Sequence, residues 1–281
     1  MPSQRLIRTA VICAVLATGA TACGGQKDAK STAGAAVAPA SASVSASAPA
    51  SPTASPTPTM ATDSLTAEQI STQAKTAMSQ LSSMKIAGTM TSDGQKMGID
   101  ITADKQGDCD GTISIGSTGS IEILHTGSNT WMKPDATFWK SMSVQEGYSK
   151  AGDTMAMLFQ GRWLTGGQND PDLKDVGSMC DLMNQMTKDD GSKSTVTKGT
   201  TGVTDGVPTI SLTETDSDDP TPSTAYIATV GQPYLVRIEQ SGGDSPGQMD
   251  FSAFNQPVTV QAPPADDVID YSLFQQKVKG A

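Results

Sequence analysis

One histidine, His125, stands in 281 residues, and no two cysteines are spaced as CxxC. Zinc sites of the cysteine–histidine type need three or four such ligands in register, so that class of metal centre is not expected. No serine near His125 reads as part of a nucleophile elbow, and an enzyme is not expected. Basic residues are also scarce: 19 Lys and Arg face 29 Asp and Glu, a net charge of −10. That balance argues against nucleic acid and anionic headgroups as partners, because both need basic clusters. Long apolar runs are missing too. The longest, Thr9 to Gly19, is far short of the roughly 20 residues that span a bilayer.

What is present begins with that short run. Arg5 and Arg8 precede it, Ala20-Thr21-Ala22 follows it, and Cys23-Gly24-Gly25 comes next. This is the order of a processed signal peptide over 1–22. It resembles a bacterial lipobox, in which the cysteine thiol takes a diacylglyceryl group and becomes the mature N-terminus. Ala20 stands where most lipoboxes carry Leu, and Ala-Thr-Ala also suits ordinary signal peptidase, which would leave a free thiol. Lipidation at Cys23 puts the protein on the extracytoplasmic face of a cell membrane, held there by its N-terminal lipid.

Residues 23–62 carry three charges after the cysteine (Lys27, Asp28 and Lys30), no aromatic, and long runs of Ala, Ser, Pro and Thr. Such composition cannot bury enough apolar surface to offset ordering entropy, so it reads as a disordered tether. From 63 to 281 the apolar residues return, enough for one domain. This part holds Cys109 and Cys180. In an exported protein an even count points to a disulfide; two buried free thiols are the alternative, and a metal site is disfavoured by the lack of histidine.

Thr66-Ala67-Glu68-Gln69 has the form of a capping box and opens a helix with Ile70, Ala74, Ala77, Met78 and Leu81 on one stripe. The period then falls to two. Strands are expected around Ile86–Thr91, Met97–Thr102 (after the hairpin signal Asp93-Gly94), Cys109–Gly116, Ile121–Ile123 and Thr130–Lys133. Helices are expected from Pro134 or Asp135, after Asp153, and from Asp172 to Met186, with a short strand at Trp163-Leu164. Strands return over 194–200, 207–213, 224–230, 234–240 and 249–254. Helix, strands, helices, strands is an α+β antiparallel order, and it excludes a doubly wound nucleotide-binding sheet.

Several stretches resemble known proteins. Thr130-Trp131-Met132-Lys133-Pro134-Asp135-Ala136-Thr137-Phe138-Trp139 is similar to a strand-to-helix segment of actinobacterial surface lipoproteins. So are Cys109-Asp110-Gly111-Thr112, Cys180-Asp181-Leu182, and Phe254-Asn255-Gln256-Pro257 with the following residues to Pro264. These belong to the group of mycobacterial lipid-carrying lipoproteins, related more distantly to the periplasmic carrier LolA. The resemblance implies a strongly curved antiparallel sheet, a half-barrel, with helices covering its concave face and an apolar cavity for acyl chains between them. It also implies that Cys109 pairs with Cys180.

On that basis the chain is expected to bind or carry a lipid, glycolipid or other apolar ligand at the cell envelope, with no cofactor. Methionine is flexible and polarizable, which suits a surface that adapts to varied chains. The candidate cavity comprises Ile99, Ile101, Ile113 and Ile115 from the sheet and Met155, Met157, Met179, Met183 and Met186 from the helices. Trp131, Phe138 and Trp139 are expected to cluster where sheet meets helix. The paired carboxylates Asp189-Asp190, Asp218-Asp219 and Asp266-Asp267 read as solvated turns. The alternative function is a surface interaction or sensor domain with a filled core and no ligand.

Overall fold

The computed structural model describes residues 59–92, 94–127, 129–145, 149–166, 171–186, 194–216, 220–243 and 245–272, with backbone alone for 143–145, 149–152, 171–172, 175 and 186. All of them lie in the compact unit Ala54–Ala281. The signal peptide, Cys23 and the expected tether up to residue 58 fall outside them. So do Asp93, Asp189-Asp190 and Asp218-Asp219.

One sheet of twelve strands organises the unit. A first meander runs β1 (Ser83–Ser92), β2 (Gln95–Asp104), β3 (Cys109–Ile115), β4 (Gly119–Thr126) and β5 (Asn129–Pro134), followed by the short β6 (Trp163–Thr165). A second runs β7 (Ser194–Thr204), β8 (Val207–Asp216), β9 (Ser223–Ala228), β10 (Leu235–Gln240) and β11 (Gly247–Ser252), and β12 (Val268–Asp270) closes the order. Antiparallel pairing of β1 with β11 fuses the meanders, while β12 lies parallel to β6 at the far edge. The edges β12 and β7 do not meet, so the result is an open, curved half-barrel with helices, an α+β fold.

Alternation decides which face is covered. Ile86 pairs with Phe251 and Ile101; Gly111, Ile123, Met132 and Leu164 continue that row across the sheet. All the side chains of this row are buried. Asp100, Glu122 and Lys133 point to the other face. Two glycines allow the curvature. A Cβ on Gly88 would sit 2.1 Å from the Gln248 carbonyl oxygen, and one on Gly111 would sit 2.3 Å from that of Asp100. Only a residue without a side chain lets neighbouring strands approach and coil this closely.

Helix α1 (Ala67–Ser79) starts as its capping box predicts. The Gln69 N–H donates to Thr66 Oγ1 at 3.3 Å, and the Thr66 N–H donates to Gln69 Oε1 at 2.8 Å. Its Ala67, Ile70 and Ala74 pack on Ile210, Leu212 and Ile227, covering the β8–β9 half. The other half is covered by α2 (Ala136–Gln145), α3 (Ser149–Phe159), α4 (Pro171–Ser178) and α5 (Leu182–Met186), whose inward residues join a second core with Ile101, Ile113 and Ile123.

The expected helix Asp172–Met186 is two helices separated by a tight turn, Met179–Asp181. Gly177, a weak helix former, lets the chain settle against the sheet: a Cβ there would meet Thr130 Oγ1 at 2.9 Å. The tight turn then presents Cys180 to Cys109, and the two form a disulfide with Cα atoms 5.5 Å apart. Trp131 also departs from expectation. It sits one residue before the inward Met132, so alternation sends it to the outer face, away from Phe138 and Trp139.

Candidate functional site

The concave face changes character along its strands. At one end Met84, Ile86, Ala103, Cys109 and Met183 are sealed from solvent. Toward the hairpin tips the next rows run Ile238–Met249–Gly88–Ile99–Ile113 and Met90–Met97–Ile115. Here Ile99, Met97, Ile115, Ile238 and Met249 pack on the core yet remain half-exposed. Apolar residues of these rows therefore form one strip that the core covers only in part.

The helical side of this mouth is set by Asp135. Its Oδ1 accepts the Phe138 N–H at 2.7 Å, an N-cap for α2, while Oδ2 accepts the N–H and hydroxyl of Ser120 at 3.0 and 2.9 Å. The Asp135 N–H returns a bond to the Ser120 carbonyl at 2.9 Å. One carboxylate thus ties the start of α2 to the start of β4. A Cβ on Gly119 would fall 2.4 Å from the Phe138 nitrogen, so the helix lies directly on the strand that flanks Ile115. This geometry accounts for Asp135 and Phe138 in the motif. Trp139 follows into the interior, its ring 5.8 Å from Phe138, 5.0 Å from Phe159 and 6.2 Å from Tyr271.

Of the nine candidate cavity residues, the structure gathers Ile101, Ile113 and Met183 in the sealed core, with Ile99, Ile115 and Met155 packed against it. Met157 and Met179 leave the set: they are 73% and 37% exposed. On α3 the inward face carries Met155, Ala156 and Phe159, which turns Met157 outward and leaves Leu158 54% exposed as well. Met179 falls in the tight turn, where helical spacing from Met183 no longer holds. The side chain of Met186 lies outside the described residues.

A hollow of about 420 Å³ opens at the sealed end among His125, Thr130, Lys174, Gly177, Ser178 and Asp181. His125 Nδ1 lies 2.8 Å from Thr130 Oγ1, which orients the ring. Gly243-Asp244-Ser245-Pro246-Gly247 has the GxSxG spelling. Ser245 sits in the turn between β10 and β11, with no helix following, so this is not the strand-to-helix elbow of a hydrolase. Among the described residues no three His, Cys, Asp or Glu side chains gather to hold a metal ion.

The outer face is polar. Lys85 pairs with Asp100 at 2.9 Å, and Lys133 pairs with Glu122 at 2.7 Å while lying 4.6 Å from the Trp163 ring centre. Arg237 reaches Asp250 at 2.5 Å, Asp205 at 2.6 Å and Glu239 at 3.5 Å. The Asp250 bond is the main cause that pushes its guanidinium pKa up. Partial burial first, then a bond to Glu239, raises the Tyr226 phenol above its ordinary value. Asp266 and Asp267 lie in an exposed turn, where Arg162 bonds the Asp266 carbonyl and lies 3.6 Å from Asp267.

No family model and no curated protein sequence matches the chain. Among solved structures it is similar to the lipoprotein LppX of Mycobacterium tuberculosis, with 20% identity, 68% of this chain and 96% of that one covered, and a TM-score of 0.42. It is also similar to LprF of Mycobacterium bovis, with 17% identity, 74% and 100% coverage and a TM-score of 0.47. A LolA-superfamily protein of Nitrosomonas europaea matches at 11% identity, 72% and 97% coverage and a TM-score of 0.20.

Proposed function

We propose that this chain is a lipoprotein, anchored to the outer face of a cell membrane through an acylated Cys23, that binds a lipid, glycolipid or other apolar ligand along the open end of its concave face. The observation that carries this reading is the apolar strip of Met97, Ile99, Ile115, Ile238 and Met249, left half-exposed beside a sealed core. Apolar side chains left partly uncovered on a concave surface are a ready place for an apolar ligand. Transfer of acyl chains to that strip removes water from both surfaces and contributes roughly 0.8 kcal/mol per buried methylene. Residues 1–22 act as the signal, 23–62 as the tether and 63–281 as the binding domain, although Thr59 and Met60 already join the sheet by contacts to Val230 and Thr229.

Two measurements test it. Lipid extraction and mass spectrometry of protein purified from its own host should reveal an acyl lipid in stoichiometric amount. Cys23→Ala should move the protein from the membrane fraction to the soluble one. A second reading is favoured by the sealed end, where Ile101, Ile113 and Met183 fill the interior: a partner-binding domain without ligand. Absence of any co-purifying lipid, with retained membrane association, would select that reading.

A further inference from the structure

The hollow at the sealed end takes no part in the lipid reading, and the charges along it are unpaired. Lys174 stands on α4, and Ser178 follows it one turn later, at i+4. The tight turn Met179–Asp181 then repeats every third residue, which brings Asp181 onto the same face as Ser178. All three line one side of the 420 Å³ hollow, with Lys174 and Asp181 about 12 Å apart along the axis at about 1.5 and 2.0 Å of rise per residue. Among the described residues neither of these two makes an ion pair or a hydrogen bond. The nearby carboxylates are already engaged in turns. Asp104 accepts the Gln106 and Asp108 N–H groups at 2.9 and 3.0 Å, and Asp108 accepts that of Gly127 at 3.0 Å. The strand side of the hollow supplies His125. Its Nδ1 is bonded to Thr130, and Gly177 packs over that edge of the ring, where a Cβ would lie 3.3 Å from Nδ1. Nε2 is left without a partner among the described residues.

We infer that this hollow binds a short zwitterionic peptide of two or three residues, its C-terminal carboxylate at Lys174 and its N-terminal ammonium at Asp181. The charge pattern selects the class. A simple anion meets Asp181 as well as Lys174, and a simple cation meets Lys174 as well as Asp181, so each gains one attraction and one repulsion. A ligand with both charges, set apart, gains from both ends. Length follows from the spacing. The two side chains can close part of the span with their own stems, and an extended chain covers the rest at about 3.3–3.6 Å per residue. A single amino acid, with its charges only one residue apart, reaches one end and not the other. The amide between the termini suits His125, whose Nε2 donates to a carbonyl in one tautomer and accepts an N–H in the other. This site lies at the opposite end of the concave face from the apolar strip and does not rest on the lipid reading.

The experiment titrates dialanine and trialanine into the full mature chain by calorimetry, each peptide in free, C-terminally amidated and N-acetylated forms. Salt at about 0.15 M screens the acidic surface at large, so that a blocked peptide reports on the site. The native protein should bind the free peptides saturably. It should lose about fivefold in affinity on amidation and about fivefold on acetylation, the upper range for a partly exposed ion pair. Lys174→Met keeps the stem and removes the charge. That variant should bind free and amidated peptides alike while still preferring free to acetylated ones, and Asp181→Asn should show the reverse pattern. Both positions are exposed, so the melting temperatures should stay at the native value. Absence of saturable binding by either free peptide overturns the inference. Equal affinity of the native protein for free and blocked forms does so as well, and so does a preference for the free C-terminus that survives in Lys174→Met.

Discussion

Replacing Asp135 with alanine should destabilise the domain by about 2–3 kcal/mol, and the structure divides that figure into parts. Loss of the N-cap to Phe138 costs about 1 kcal/mol. The other carboxylate oxygen leaves the Ser120 N–H and hydroxyl without their acceptor in a half-buried place, worth about 1–2 kcal/mol more. Asp135→Asn is the informative companion. Its amide keeps one oxygen, which can cap α2 or serve Ser120 but not both, so about half the loss should remain. Ser120→Ala removes a hydroxyl and leaves the backbone bond, and it should cost less than about 1 kcal/mol. Urea unfolding followed by far-ultraviolet circular dichroism gives all three from the shift in midpoint at constant slope. Asp135→Ala within about 0.5 kcal/mol of the native protein would refute the claim that this carboxylate fixes the α2 start.

Three further outcomes are expected. Cys109→Ala with Cys180→Ala opens a loop of sequence separation 71 and should lower stability by about 4 kcal/mol on the chain-entropy model; an unchanged unfolding midpoint would show the disulfide to be dispensable. Gly88→Ala should sharply reduce folded yield, because its Cβ meets backbone at 2.1 Å, whereas Gly202→Ala, with open space around it, should stay within about 0.5 kcal/mol of native; equal behaviour of the two variants would contradict the role of Gly88 in the bend. Tyr226, with its folded pKa raised, favours the protonated phenol in the fold. Its contribution is therefore fully present below about pH 10 and is lost as pH rises through the folded value, and absorbance titration near 295 nm should show one late phenol that disappears in Tyr226→Phe.

Local chemistry carried much of this fold in plain view. Thr66 and Gln69 announce α1, and the alternation of Met97, Ile99 and Ile101 assigns the inward face of β2 before any coordinates. The fusion of the two meanders was not legible, because β1 and β11 pair residues more than 150 positions apart and nothing local in either strand names the other. The three-residue β12 is too short to leave a pattern, and its parallel pairing with β6 depends on where the tail is led. That path is held by Asn255 in the left-handed region at φ 57°, where its side-chain oxygen accepts the Ser82 N–H at 2.8 Å and its own N–H donates to the Ser83 carbonyl at 2.9 Å. Of the candidate site, the sheet residues were readable from period two. Met157 and Met179 were misplaced because counting methionines along a helix ignores which third of the helix faces inward, and because a turn at Met179 breaks the count.

In the proposed function, acyl chains lie on the partly exposed strip at the hairpin-tip end of the concave face. A lipid bearing a photoreactive diazirine in its acyl chain, incubated with the mature protein and irradiated, reports this directly through peptide mass mapping. Cross-links should fall on Met97, Ile99, Ile115, Ile238 and Met249, and should fade when Ile99→Asp places a charge in the strip. Cross-links confined to the outer face around Leu124 and Trp163, or none above the level of a denatured control, would contradict it.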